Sequence, residues 1–119
     1  MIEELIQKVF CTRNCAHVAH WQTKSYAQHK ALGNFYEEVI DALDKLVEAH
    51  MGAAGAVVSS FEIPATKPVK NILTHLSDEA NWINEHREHI ASEIPALENI
   101  VDEITAVYLK TIYKLKQLS

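Results

Sequence analysis

Two imidazoles and two carboxylates stand out in the first half of this chain: His20 of a His20-Trp21 pair, His29, and Asp44 with Glu48. Imidazole nitrogens and carboxylate oxygens together suit Fe(II) and other first-row divalent ions, and such a donor set leaves positions open for dioxygen or peroxide. Asp44 and Glu48 are four residues apart, so on a helix they lie one turn apart and can share an ion. His29 precedes Asp44 by fifteen residues, roughly 22 Å along one helix at about 1.5 Å per residue. One ion cannot span that distance. A single centre made of all four takes its histidines from one chain and its carboxylates from a second, antiparallel copy, which makes it a two-fold interface site. Each residue also has a plainer role. His20 fits a hydrogen-bonded core histidine, and Asp44 and Glu48, with Glu37 and Asp41, fit a solvated acidic face that begins with His29 on the same side.

The elements that must position these residues read as four helices. Apolar residues recur at helical spacing over about Ile2 to Gln22, with Ile2, Leu5, Ile6, Val9, Ala16 and His20 on one face. The second stretch, about Gln28 to Ala54, carries Leu32, Phe35, Val39, Leu43, Leu46, His50 and Ala53, and Gly52 and Gly55 weaken its end. Pro64 and Pro68 interrupt a connector over Val58 to Pro68. A third helix is expected over about Val69 to Ile90, with Ile72, Leu76, Ile83 and Ile90 inward. Ser92 and Pro95 mark a stop and a fresh start, and a fourth helix follows over about Ala96 to Leu118. Four helices with short connections predict an all-α, up-down-up-down four-helix bundle, one domain over residues 1–119.

Composition narrows the function classes. Gly and Pro are scarce, three of each among 119 residues, which favours long helices over turn-rich β structure. No apolar run approaches the roughly 20 residues that span a bilayer, and the Met1-Ile-Glu-Glu start lacks the basic-then-apolar pattern of a secretory signal. The expected location is the cytoplasm. Cys11 and Cys15, four apart on one helix, are expected reduced, in or beside the core. Net charge is −5 with His neutral, and the basic residues are scattered, which argues against nucleic-acid binding through several phosphates. Leu109 and Tyr113 lie off the last helix's stripe and suggest a contact with another subunit. His75, His86 and His89 read as surface or flank residues, whereas His50, on the second stripe, would be the place for a site inside one bundle.

At His20-Trp21, His29, Asp44 and Glu48 the chain resembles the Dps-type mini-ferritins of the ferritin-like superfamily. That family's ferroxidase centre uses the His of a His-Trp pair near the end of its first long helix, a second His opening the next, and an Asp and Glu four residues apart further along. The resemblance covers about Ala16 to Gly52. It departs at Gly33, which stands where the family commonly has a further Asp, and in a shorter segment between the two histidines. The Ser25-Tyr-Ala-Gln-His-Lys-Ala-Leu stretch and Tyr113-Lys-Leu-Lys are also similar to small ferritin-like proteins of unassigned function from tailed bacteriophages.

The resemblance implies a ferritin-like homo-oligomer that binds iron at an inter-subunit site formed by His20, His29, Asp44 and Glu48 and oxidises Fe(II) with peroxide or dioxygen. Trp21 and Tyr26, beside that site, would take up stray radical equivalents or simply pack at the interface. Two other functions stay open: a non-enzymatic oligomeric interaction or assembly protein on the same scaffold, and a Dps-like DNA-compacting protein, which the charge disfavours.

Overall fold

A computed structural model describes residues 1–118, and among them the chain is all helical: α1 (Ile2–Gln22), α2 (Tyr26–Ala54), α3 (Ile72–Glu85), α4 (Arg87–Ile90) and α5 (Pro95–Gln117). One core gathers the inward stripes: Leu5 and Val9 of α1, Phe35 and Val39 of α2, Leu76 and Ile83 of α3, and Val101 and Ile104 of α5 are fully buried. None of the described helices is long and apolar enough to cross a membrane.

Local chemistry sets the boundaries. Ser25 caps α2 by accepting a hydrogen bond from the Gln28 amide, which starts the helix two residues earlier than the apolar pattern alone suggests. Gly55 ends it in the left-handed conformation (φ 67°), where glycine carries no Cβ penalty. The expected third helix, Val69 to Ile90, is both shorter and broken. Asn71, past the prolines, caps α3 by accepting from Thr74 N. The break falls at His86, whose ring stacks on Trp82 and whose Nδ1 donates to the Trp82 carbonyl at 2.8 Å. Ser92 and Glu93 both take positive φ between α4 and α5, and Pro95 opens α5 in its first turn.

The helix directions correct the expected up-down alternation. Lys45 pairs with Glu103 at 3.0 Å and Lys110 with Glu38 at 2.5 Å, so α5 runs antiparallel to α2. Thr12 meets Glu79, and the Lys8 ammonium lies over the Trp82 ring, so α3 runs antiparallel to α1. Thus α2 and α3 point the same way. Residues 55–71 make this possible by travelling back alongside α1: Gln7 donates to Glu62 O, Cys11 and Cys15 to the carbonyls of Pro64 and Lys67. These bonds satisfy part of the backbone of an irregular segment that has no helix of its own.

Candidate functional site

His20 and His29 face each other where α1 ends and α2 begins. Their rings stack with centroids 3.6 Å apart and planes 19° from parallel. Each Nδ1 donates to the other residue's backbone carbonyl, His20 to His29 O at 2.6 Å and His29 to His20 O at 2.8 Å. The pair is a reciprocal clasp across the helix junction. Both rings are half-buried rather than central in the core. Gly33 makes the clasp fit, because a Cβ there would stand 3.1 Å from His20 Cε1 and 3.2 Å from its Nδ1.

Asp44 and Glu48 are exposed and lie further down α2. With Glu37 and Asp41, also exposed, they continue a single row that begins at His29 and Gly33. One chain therefore does not bring the four expected ligands together. Among the described residues no three His, Cys, Asp or Glu side chains are grouped to hold a metal.

Beside the acidic row, α1 presents a cationic and aromatic one. Arg13 lies over the Tyr36 ring at 5.1 Å, Tyr36 stacks on His17 at 4.1 Å, and His17 meets Trp21 at 4.4 Å. Desolvation first, then Arg13 and His20, hold His17 below the ordinary histidine pKa. Trp21 is 68% exposed and Tyr26 74%. The two rows adjoin, since Arg13, Tyr36, Glu37 and Asp41 line one shallow cleft.

A second polar cluster went unrecognised in the sequence. Glu79 of α3 is buried in the core with Thr12 and Tyr108. The Tyr108 hydroxyl donates to Glu79 Oε1 at 2.7 Å, and Thr12 Oγ1 donates to the carboxylate at 2.8 Å. His75 Nε2 stands 2.7 Å from Thr12 Oγ1 and 3.4 Å from Glu79 Oε2. Threonine has one proton, and it points to the carboxylate; His75 Nε2 therefore carries a hydrogen and donates to Thr12. That proton order is opposite to a nucleophile-base pair, in which the histidine accepts from the hydroxyl. Burial, and next the Glu79 charge, push the Tyr108 phenol well above its usual range. All its donors converge on Glu79, and no buried side-chain polar atom among the described residues lacks a partner, so the cluster holds a charge in the core. The available signal was a polar residue on the inward stripe of three helices: Thr12 between Val9 and Ala16, Glu79 between Leu76 and Ile83, Tyr108 after Ile104.

The model of the family described as "Family of unknown function (DUF5856)" matches residues 20–115. The chain belongs to this family. The DUF5856 match includes His20, His29, Asp44 and Glu48, the residues on which the mini-ferritin resemblance stood, and it corrects that resemblance: the family that matches is one of unknown function, and no ferritin-like family matches. A similar protein is an uncharacterized 14.6 kDa protein in the mobD-ri intergenic region of Enterobacteria phage T4, 30% identical over 104 residues, which are 83% of this chain and 75% of that protein. No solved structure matches this DUF5856 chain.

Proposed function

We propose that this chain is a non-enzymatic assembly protein, a four-helix bundle with one long crossover that works as a homodimer or larger oligomer in the reducing cytoplasm, where its two free thiols are at home. The observation that supports it is the α1–α2 edge, where the Arg13–His17–Trp21 row with Tyr36 adjoins the exposed Glu37–Asp41–Asp44–Glu48 row. Such a surface is self-complementary under a two-fold axis, the cationic and aromatic row of each copy meeting the acidic row of the other. Leu109 and Tyr113, 54% and 57% exposed on α5, offer a further contact.

A charge-swap mixture tests this. An Arg13→Glu, His17→Glu chain and an Asp44→Lys, Glu48→Lys chain should each sediment as monomer, and a one-to-one mixture should recover the dimer mass, because both halves of the mixed interface are again opposite in sign. A parent chain of 13.4 kDa that stays monomeric at micromolar concentration, or a mixture that stays monomeric while the parent dimerises, refutes the interface.

One observation favours a second reading, Fe(II) binding between copies. Both clasp histidines donate through Nδ1, which leaves Nε2 as the free lone pair, the arrangement in which a backbone carbonyl orients a metal-binding imidazole. The clasp also caps the acidic row, so an antiparallel copy would present its Asp44 and Glu48 near it. Anaerobic Fe(II) titration tests this: Asp44→Asn with Glu48→Gln, and separately His20→Ala with His29→Ala, should abolish binding, and the refolded mixture should restore it. A parent dimer that binds no Fe(II) removes this reading and leaves assembly intact.

A further inference from the structure

A cavity of about 620 Å³ lies between the second half of α1, the start of α2 and the end of the crossover, within the size range of small-molecule pockets. Its lining is apolar at Val18, Leu32, Val69 and Ile72, and it carries two cations, Lys67 and Lys70. Of the chain's sixteen acidic residues, none lines it. Three smaller cavities all have carboxylate walls: Glu4 and Glu79 in one, Glu85, Glu88 and Glu93 in another, Glu37 and Asp41 in the last. In a chain of net charge −5, this cavity is set apart by sign.

Neither lysine is spent elsewhere. Among the described residues, no ion pair involves Lys67 or Lys70. Cys15, also on the wall, donates its thiol hydrogen to Lys67 O at 3.4 Å, which ties the crossover to α1 and fixes the cavity's roof. Burial holds that thiol above its ordinary pKa, so it adds no negative charge at neutral pH.

We propose that this cavity binds a small amphipathic anion, an alkyl body with one carboxylate head, the body against Val18, Leu32, Val69 and Ile72 and the head between Lys67 and Lys70. The apolar wall supplies area-dependent affinity, and the two ammonium groups supply the sign preference, as point charges that accept any carboxylate orientation.

Decanoate, kept below its micelle-forming concentration, is the probe, titrated into the full-length chain and followed by amide chemical shifts. Saturable shifts confined to Cys15, Val18, Leu32 and residues 66–72 are expected. Decanol, with the same body and no charge, should bind about tenfold more weakly, and Lys67→Gln with Lys70→Gln should cost decanoate about tenfold, the range of a charge-assisted hydrogen bond in a partly wet site. Both lysines are exposed, so circular dichroism of the double variant should match the parent. Unsaturable or dispersed shifts, equal affinity for decanol and decanoate, or an unchanged decanoate affinity in the folded double variant would each overturn the proposal.

Discussion

The smallest residue in the candidate site decides how its histidines sit. Gly33 costs α2 about 1 kcal/mol of helix propensity relative to alanine, yet an alanine Cβ would press on a His20 ring held by stacking and a 2.6 Å hydrogen bond. Overpacking of that kind costs about 1–3 kcal/mol, so Gly33→Ala should lower stability by about 1 kcal/mol in urea titration. In a His20→Ala background the obstacle is gone, and the same substitution should raise stability by about 1 kcal/mol. Equal effects in the two backgrounds would show that the clasp does not hold the ring. The Tyr108 phenol makes a second prediction. Tyr108→Phe removes a donor to a buried carboxylate, which should cost about 1–3 kcal/mol at pH 7. Because the folded pKa is raised, this contribution is complete below about pH 10, where the unfolded tyrosine titrates, and is lost as pH rises beyond it. The stability gap between parent and variant should therefore shrink at pH 11; a constant gap would mean that the phenol ionises as freely in the fold as outside it. In the sequence, His20 and His29 stood out through the His20-Trp21 pair and their spacing from Asp44 and Glu48, but their stacking on each other depends on how α1 turns into α2 and was not legible there. Glu79 was passed over because one carboxylate on an apolar stripe carries no sign of its donors, which come from Thr12 and Tyr108, 67 and 29 residues away.

At the level of elements, periodicity located α1, α2 and α5 to within two residues, because a stripe of buried aliphatic residues and a cap are both local. Direction is not local. A helix pattern reads the same whichever way the next helix runs, and the expected alternation assumed a connector that turns back at once. Residues 55–71 have a reach of about 55 Å at roughly 3.3 Å per extended residue, more than the molecule's 46 Å length, so they can return along α1 and start α3 at the opposite end. His86 added a break that apolar spacing could not reveal, since Ile83 and Ile90 stay in phase across it. Zero-length carbodiimide cross-linking reads the direction of α5 directly. Lys45–Glu103 and Lys110–Glu38 cross-links are expected, whereas Lys110 joined to Asp44 or Glu48 would reverse α5 against α2 and undo the assigned topology.

Across the whole molecule, two electrostatic effects would oppose each other in the proposed dimer. Each copy carries −5; at a side-by-side separation of roughly 25 Å, chosen from the 27 and 21 Å short axes, the repulsion in unscreened water is about 4 kcal/mol. The rows of the proposed interface would act at contact distance, where one opposite pair near 4 Å gains about 1 kcal/mol in water and about 4 kcal/mol at an effective dielectric of 20. Screening separates the two by range. With a Debye length of about 30 Å at 0.01 M salt somewhat under half of the repulsion survives; at 0.15 M, where it is about 8 Å, the repulsion is nearly gone while contact pairs persist; at 1 M, about 3 Å, the pairs fade as well. Dimer affinity measured by sedimentation equilibrium should therefore rise from 0.01 to 0.15 M NaCl and fall again by 1 M. A steady rise to 1 M would mean that apolar contacts such as Leu109 and Tyr113 hold the copies together without the charged rows, and a steady fall would mean that net repulsion never counts. The steady rise would remove the self-complementary α1–α2 edge as the surface that joins them, whereas the steady fall would keep that edge and remove only the opposing repulsion.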